Sequence, residues 1–144
     1  MIVKTILNQK PPGFISATPD MKISDVIALL ASKNIGAVLV VEDGALAGIL
    51  SERDIVRSLA TRAEQTLNLT ASALMSRHLT TGTPNTTIAQ AQEMMTNGHF
   101  RHLPILEDGK LVGLVSIGDV VKALIDQSQH EVDSLRTYVA GPAL

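Results

Sequence analysis

The chain has no cysteine and almost no aromatic residues. The absence of cysteine excludes a disulfide framework, a thiolate zinc site and a thiol nucleophile. Aromatic side chains make up only 2% of the 144 residues. The core must therefore be built from Val, Ile, Leu, Ala and Met.

An excess of one charge and long apolar runs are also missing. Twelve basic residues stand against fourteen acidic ones, for a formal net charge of −2. This balance argues against an electrostatically driven nucleic-acid binder, which is basic overall or along a stripe. No apolar run approaches the length of a membrane span, and the N-terminus lacks the apolar region of a secretory signal. We therefore expect a cytoplasmic protein without a membrane partner.

What the chain does contain is an internal repeat. Residues 18–60 align with residues 83–125 at an offset of 65 without a gap. Two copies are too few for a solenoid, so we expect two half-domains that close face to face. Because a unit of this size is only marginally stable alone, we also expect the halves to share a core.

Each copy predicts the element order β-α-β-β-α. In the first copy, residues 15–17 are extended, apolar residues recur at helical spacing from Ile23, and residues 37–41 form a run typical of a buried strand. Asp-Gly pairs predict a hairpin turn in both copies. The last helix of the first copy begins at Ser51 and runs to about Ala60. In the second copy, Thr87 opens a helix with a capping box that the first copy lacks.

The predicted fold is therefore mixed α/β (α+β): two pseudo-symmetric repeats packed into one module, with an extended C-terminal helix. Residues 1–68 hold the first repeat with the N-terminal segment and a polar linker, and residues 69–127 hold the second repeat. Residues 128–144 form a C-terminal helical extension that should end at Gly141-Pro142.

The C-terminal extension carries an apolar stripe. Its members alternate four and three residues apart, which is the spacing of a coiled-coil seam. They are Val121, Ile125, Ser128, Val132, Leu135 and Val139. The stripe either packs back on its own domain or meets a second copy of the chain.

The strongest local motif is Gly, two apolar residues, then Ser-x-x-Asp. It places Ser51 with Asp54 and Ser116 with Asp119 on the first turn of a helix, directly after a buried strand. One interpretation is a capping pair that stabilises the helix start. The other is a ligand site, because a carboxylate there can accept hydrogen bonds from two vicinal hydroxyls, as in dinucleotide folds. Its presence in both copies favours the ligand site.

These residues together resemble the cystathionine β-synthase (CBS) domain, and a tandem pair resembles a Bateman module. The resemblance rests on Thr-Pro, the amphipathic helix, the buried strand, Asp-Gly and the Ser-x-x-Asp motif, and it covers nearly the whole chain. It implies two related clefts for adenosine ligands: AMP, ADP, ATP, NAD(H) or S-adenosylmethionine. It also implies a regulatory protein that needs no cofactor.

The resemblance assigns roles to residues in each cleft. In one site Asp119 and Ser116 hold the ribose, and the adenine is framed by Thr18, Val26 and Leu46. Phosphate contacts in that site come from Arg101 and His102. In the mirror site Asp54 and Ser51 hold the ribose, and the base is framed by Thr83, Ala91 and Leu111. Gly36 and Ala37 stand where the first site has Arg101 and His102, so Arg53 is the candidate phosphate contact. The sequence thus predicts that phosphorylated ligands bind more tightly beside Asp119.

Two classes of function remain open. One is an adenine-nucleotide sensor of cellular energy or redox state that modulates a partner protein. The other is a structural or adaptor homodimer with vestigial clefts. An enzyme ranks third, since no nucleophile, acid–base pair or metal set stands out. His99 and His102 have metal-like spacing but no evident third ligand. We expect a homodimer in either case.

Overall fold

The computed structural model describes residues 1–140 and has two halves related by the sequence repeat. The predicted end of the last helix at Gly141-Pro142 lies outside the described residues. The first half is formed by β1 (Ser16–Ala17), α2 (Ile23–Lys33), β2 (Ala37–Glu42), β3 (Ala45–Ser51) and α3 (Glu52–Arg62). The second half is formed by α5 (Ile88–Gly98), β4 (His102–Glu107), β5 (Lys110–Ser116) and α6 (Ile117–Ala140). Short helices precede each half: α1 (Val3–Gln9) and α4 (Ala71–Leu74).

The predicted hairpins are present in both halves. Strand β2 pairs antiparallel with β3, and β4 pairs antiparallel with β5. Asp43 and Asp108 have φ values of 51° and 52°, and the glycines that follow are also at positive φ, as a tight two-residue turn requires. Strand β1 lies parallel to β2, whereas the second half has only a bridge between Gly82 and Ile105 at the equivalent place. The β-α-β-β-α order is confirmed, with this shortened first strand in the second copy.

The helix ends follow local chemistry. Ser51 caps α3 and Thr87 caps α5, each in a complete capping box. Lys22 at the start of α2 makes no side-chain cap, as the sequence predicts. Helix α2 ends at Asn34 in the left-handed region, a conformation that Asn tolerates better than most residues.

Each half is preceded by a short segment that packs on the other half. Val3 and Ile6 of α1 lie in the core of the second half, with Ile88 and Leu103 among their neighbours. The backbone N–H of Val3 donates to the carbonyl of Thr86 at 2.8 Å. The N-terminal segment, which the sequence groups with the first repeat, therefore packs on the second one.

Residues 71–75 show the same exchange in the opposite direction. Ala71 and Met75 lie in the core of the first half, and the N–H of Ala71 donates to the carbonyl of Met21 at 2.8 Å. The expected single shared core is therefore wrong: two separate clusters form, and each is completed by the segment that precedes the other repeat. This exchange lets each small half bury enough apolar surface while linking the halves.

The predicted polar linker is folded. Residues Ala63–Asn68 form a 3-10 helix against the first half. Thr66 is fully buried, and its hydroxyl lies 2.8 Å from that of Ser58. The connector is thus fixed to the first repeat and does not hang between the two.

The second half ends in a helix that leaves the core. Helix α6 has 24 residues, against 11 in α3. Within residues 1–140, no helix combines the length and the apolarity that crossing a bilayer requires.

Candidate functional site

The Ser-x-x-Asp motif of the first half forms a closed capping arrangement. Strand β3 ends at Ser51, and the Ser51 N–H donates to Asp54 Oδ2 at 2.9 Å. The Ser51 hydroxyl also donates to Asp54 Oδ2, at 3.0 Å. Both contacts end on one carboxylate oxygen, so the other oxygen is available to accept hydrogen bonds from a ligand.

The same motif in the second half has an additional partner. The Ser116 N–H donates to Asp119 Oδ2 at 2.9 Å, and Lys10 Nζ donates to the same oxygen at 2.9 Å. Lys10 Nζ also donates to the carbonyl of Leu114 at 2.9 Å. The lysine of the N-terminal segment therefore connects that segment to the Asp119 carboxylate of the second half.

These contacts govern the charge of Asp119. Burial raises the pKa of its carboxyl, but the hydrogen bonds from Ser116 and Lys10, together with the positive charge of Lys10, outweigh burial and hold that pKa below its ordinary value of 3.8. Asp119 is therefore ionised at neutral pH and can accept hydrogen bonds.

The first cleft, which we call the Asp119 cleft, has a volume of about 700 Å³. Ser116 and Asp119 come from the second half, and residues 33–37 come from the first. Residues 10–15 of the N-terminal segment form a third wall. Its apolar lining is contributed by Leu7, Pro11, Pro12, Phe14, Ile15, Ile35, Ala37, Val112 and Leu114.

The second cleft, the Asp54 cleft, has a volume of about 600 Å³. Ser51 and Asp54 come from the first half, and residues 98–102 come from the second. Three arginines line this cleft: Arg53, Arg57 and Arg101. Counting only Arg, Lys, Asp and Glu side chains, the three arginines together with Glu52 and Asp54 give the Asp54 cleft a net charge of +1. In the Asp119 cleft, Lys10 and Lys33 together with Asp119 also give a net charge of +1. The clefts thus differ in the kind of cation and not in net charge.

Arg101 lies in a different cleft from the one predicted. The resemblance paired it with Asp119, but it lines the Asp54 cleft together with Arg53. The reason is the pseudo-symmetry of the two halves. Each cleft combines the Asp of one half with the residues around the start of the hairpin in the other half, which are residues 33–37 at β2 and residues 98–102 at β4. Gly36 accordingly lines the Asp119 cleft, although it also reaches the edge of the Asp54 cleft. The structural basis for tighter phosphate binding beside Asp119 is therefore gone.

Six residues assigned to the adenine pockets lie outside both clefts. They are Thr18, Val26, Leu46, Thr83, Ala91 and Leu111. Val26 and Ala91 are fully buried core residues of helices α2 and α5, so no ligand can reach them. Thr18 and Thr83 are exposed and take part in local turns. The burial of Val26 and Ala91 contradicts their assignment, whereas the roles given to Thr18, Leu46, Thr83 and Leu111 stay predictions.

His102 lines both clefts, at the junction of the two halves. A side chain added at Gly36 would begin 3.7 Å from the His102 ring. Burial lowers the pKa of His102, and the positive charges of Lys10 and Arg101 add to this effect, while Asp119 and Glu52 oppose it. His102 is therefore neutral at pH 7 and can donate with one ring nitrogen and accept with the other.

Lys10 is the site residue that the sequence reasoning missed. The repeat offset, continued toward the N-terminus, aligns Lys10 with Met75 and Pro11 with Ser76. That extension would have indicated that residues 10–15 have a counterpart in residues 75–80, several of which line the Asp54 cleft.

Comparison with known proteins defines the class. The model of the CBS domain family matches residues 3–61 and 71–126, so the chain belongs to the CBS-domain family and carries two copies. The mitochondrial CBS domain-containing protein CBSX3 of Arabidopsis thaliana is 34% identical over 129 residues, or 86% of this chain. The chain spans 63% of the length of that protein.

Solved structures share the arrangement of the two repeats. The CBS-domain containing protein ATU1752 from Agrobacterium tumefaciens is 39% identical, with a TM-score of 0.83 over 85% of this chain and 98% of that one. The CBS domain pair of protein MJ0100, solved with 5′-methylthioadenosine and S-adenosyl-L-methionine, is 26% identical. Its TM-score is 0.77, over 88% of this chain and 98% of that chain.

Proposed function

We propose that this protein is a regulatory module that binds adenosine-containing ligands in the two clefts and does no chemistry on them. The observation that carries the proposal is the duplicated Ser-Asp pair: Asp54 and Asp119 each lie at a strand end beside a helix start, with one carboxylate oxygen available to a vicinal diol. The MJ0100 pair, which binds two adenosine derivatives, supports the same ligand class.

The two clefts suit different members of that class. Guanidinium groups bind phosphate bidentately, so Arg53, Arg57 and Arg101 favour AMP, ADP, ATP or NAD(H) in the Asp54 cleft. No arginine is among the described residues that line the Asp119 cleft, and Lys10 is already engaged by Asp119 and Leu114. It therefore favours ligands without a phosphate chain, such as S-adenosylmethionine.

A ligand in either cleft contacts both halves and can bias their relative orientation. It does so only through a difference in its affinity for the two arrangements. We propose that this change alters docking on a partner protein, which makes the module a sensor of cellular energy or redox state in the cytoplasm. The module acts as a homodimer, because α6 exposes an apolar face that a monomer leaves in water.

A thermal-shift screen tests the ligand class. AMP, ADP, ATP, NAD, NADH and S-adenosylmethionine are each added to the wild type and to the Asp54→Asn/Asp119→Asn double variant, with GTP as the control for the base. A ligand at a hundred times its dissociation constant stabilises the fold by roughly 2.7 kcal/mol. We expect the double variant to be stabilised clearly less than the wild type. If no adenosine ligand raises the melting temperature, the clefts are vestigial and the adaptor function replaces the sensor.

Recovery of the ligand tests the absence of chemistry. The stabilising ligand is incubated with the protein for a day and analysed by chromatography. Intact ligand is expected, because among the described residues no serine or threonine hydroxyl of the clefts is hydrogen-bonded to a histidine that could act as its base. Conversion that exceeds the rate in buffer and is lost in the double variant would contradict the proposal.

A further inference from the structure

The C-terminal helix carries an apolar face that none of the described residues 1–140 covers. Val121, Ile125, Val132, Leu135 and Val139 are between 40% and 76% exposed, although they recur at regular spacing along α6. Scattered apolar residues on a surface need no explanation, but an ordered stripe along one helix does. The interpretation that the stripe packs back on its own domain is therefore wrong.

We infer that this stripe pairs with the same stripe of a second copy as a parallel two-stranded coiled coil. The inference rests on the proposed homodimer and specifies the surface that forms it. Residues 125, 132 and 139 take the a positions of a heptad repeat, and residues 121, 128 and 135 take the d positions. β-branched residues at a with Leu at d favour two strands in a parallel arrangement.

The charges beside the seam favour the parallel orientation. In a parallel pair, a residue at g faces the e position of the following heptad on the other helix. Glu131 occupies g and Arg136 occupies the next e, so two opposite-charge pairs form across the twofold axis. In an antiparallel pair with the same core layers, Glu131 would face its own copy and Lys122 would face Arg136. Only the parallel arrangement places opposite charges together.

The polar residue of the seam, Ser128, should limit the stability of the coiled coil. Ser128 occupies a d position and leaves one apolar layer incomplete, which lowers stability. A seam of fewer than three heptads depends on its attachment to a folded body, because isolated short helices are marginal. Helix α6 meets this condition, since Val120 and Ala123 at its start are buried in the second core.

Charge exchange on the full-length protein tests the orientation. Dimer dissociation constants are measured by analytical ultracentrifugation for Arg136→Glu, Glu131→Arg and the double exchange. We expect each single variant to weaken the dimer by about fivefold and the double exchange to restore it. Glu131 and Arg136 are five residues apart, so they are not neighbours on one helix and the rescue must act between chains. An antiparallel pair predicts that Arg136→Glu strengthens the dimer, which would overturn the inference.

The absence of native cysteine permits a direct cross-link test. Ser128→Cys places a thiol in the seam, where it faces its own copy in a parallel pair, and Ser134→Cys places one on the outer face as the control. Under mild oxidation we expect covalent dimers for Ser128→Cys and little for Ser134→Cys. Equal cross-linking of the two variants, or none for Ser128→Cys in a dimeric protein, would overturn the seam.

Variants that remove apolar layers of the seam test whether the dimer forms through the seam or through another surface. Ile125→Ser with Leu135→Ser should give a monomer at micromolar concentration, whereas Val56→Ser, on the exposed face of α3, should leave the dimer intact. If the dimer survives the double variant but is lost in Val56→Ser, the proposed seam is wrong and the proposed homodimer still stands. A monomeric wild type would overturn both.

Discussion

The Asp54 cleft and the Asp119 cleft share one motif but complete it differently. In the Asp54 half, Ser76 exchanges two backbone hydrogen bonds with Ile49, at 2.9 and 3.0 Å. The equivalent of Ser76 in the other half is Pro11, which has no N–H to donate. There the Lys10 side chain donates to Leu114, the equivalent of Ile49, and also to Asp119.

This difference shows how a duplicated fold acquires two distinct sites. Replacing a backbone donor with proline leaves a carbonyl that a neighbouring lysine satisfies, and the lysine then also neutralises the carboxylate of the cleft. The arginines are concentrated on the other side, since residue 101 is Arg where residue 36 is Gly. Four experiments break or sharpen this comparison.

The largest effect is expected from the arginines of the Asp54 cleft. Arg53→Gln with Arg101→Gln removes two guanidinium groups, each worth roughly 1.5–3 kcal/mol in a charge-assisted hydrogen bond. ADP binding, measured by calorimetry, should weaken by at least about 100-fold. Lys33→Gln, in the Asp119 cleft, is the matched control and should change ADP affinity little. An equal loss in both variants would remove the distinction between the clefts.

The next effect concerns the packing of the segments that precede the two halves. A methyl group at Gly48 would begin 2.6 Å from Met75 Sδ and 2.8 Å from the Ser76 carbonyl oxygen. The atoms nearest to a methyl group at Gly113 belong to the Leu7 side chain, the first at 2.8 Å. Backbone cannot yield as a side-chain tip can. Gly48→Ala should therefore cost about 1–3 kcal/mol in urea unfolding, and Gly113→Ala clearly less. Equal losses of stability would show that the preceding segments pack equally tightly against Gly48 and against Gly113.

A smaller effect is expected when Lys10 is replaced by its counterpart. Lys10→Met removes the cation beside Asp119, so the pKa of that carboxyl should rise toward its ordinary value. A carboxyl with a lowered pKa in the folded state stabilises the protein above its unfolded pKa of about 3.9, and this stabilisation is lost as the pH falls through the folded value. The variant should therefore be less stable than the wild type at pH 7, and the gap should close in acid.

The size of the Lys10 effect is limited by exposure. The Lys10 side chain is 39% exposed, so the pair is screened and contributes no more than about 1 kcal/mol. NMR titration of the Asp119 carboxyl gives the pKa directly, and Lys33→Met serves as the control. An unchanged pKa in Lys10→Met would mean that the pair does not form in solution.

The repeat unit could be predicted from the sequence because its signals are local. Asp-Gly turns, the capping residues and the buried strands all depend on neighbours a few positions away. The exchange of the leading segments could not be predicted in this way. It depends on contacts such as Val3 with Thr86, which join distant parts of the chain and leave no mark on hydrophobic periodicity.

The candidate site was predicted in part for the same reason. Ser51, Asp54, Ser116 and Asp119 were found because a local motif carries them. The cleft that Arg101 enters depends on how the two halves face each other, and a residue pattern does not contain that information. Val26 matched the family pattern although it lies on the apolar helical spacing that begins at Ile23, and Ala91 is its equivalent in the second copy.

The central claim is that phosphorylated adenosine ligands bind in the Asp54 cleft and not in the Asp119 cleft. Calorimetric titration of ADP into Asp54→Asn and Asp119→Asn tests it most directly, because the amide keeps the size of the carboxylate and an acceptor for the capping bonds. The account predicts that Asp54→Asn weakens ADP binding at least tenfold and that Asp119→Asn leaves it nearly unchanged. A greater loss in Asp119→Asn would contradict the account.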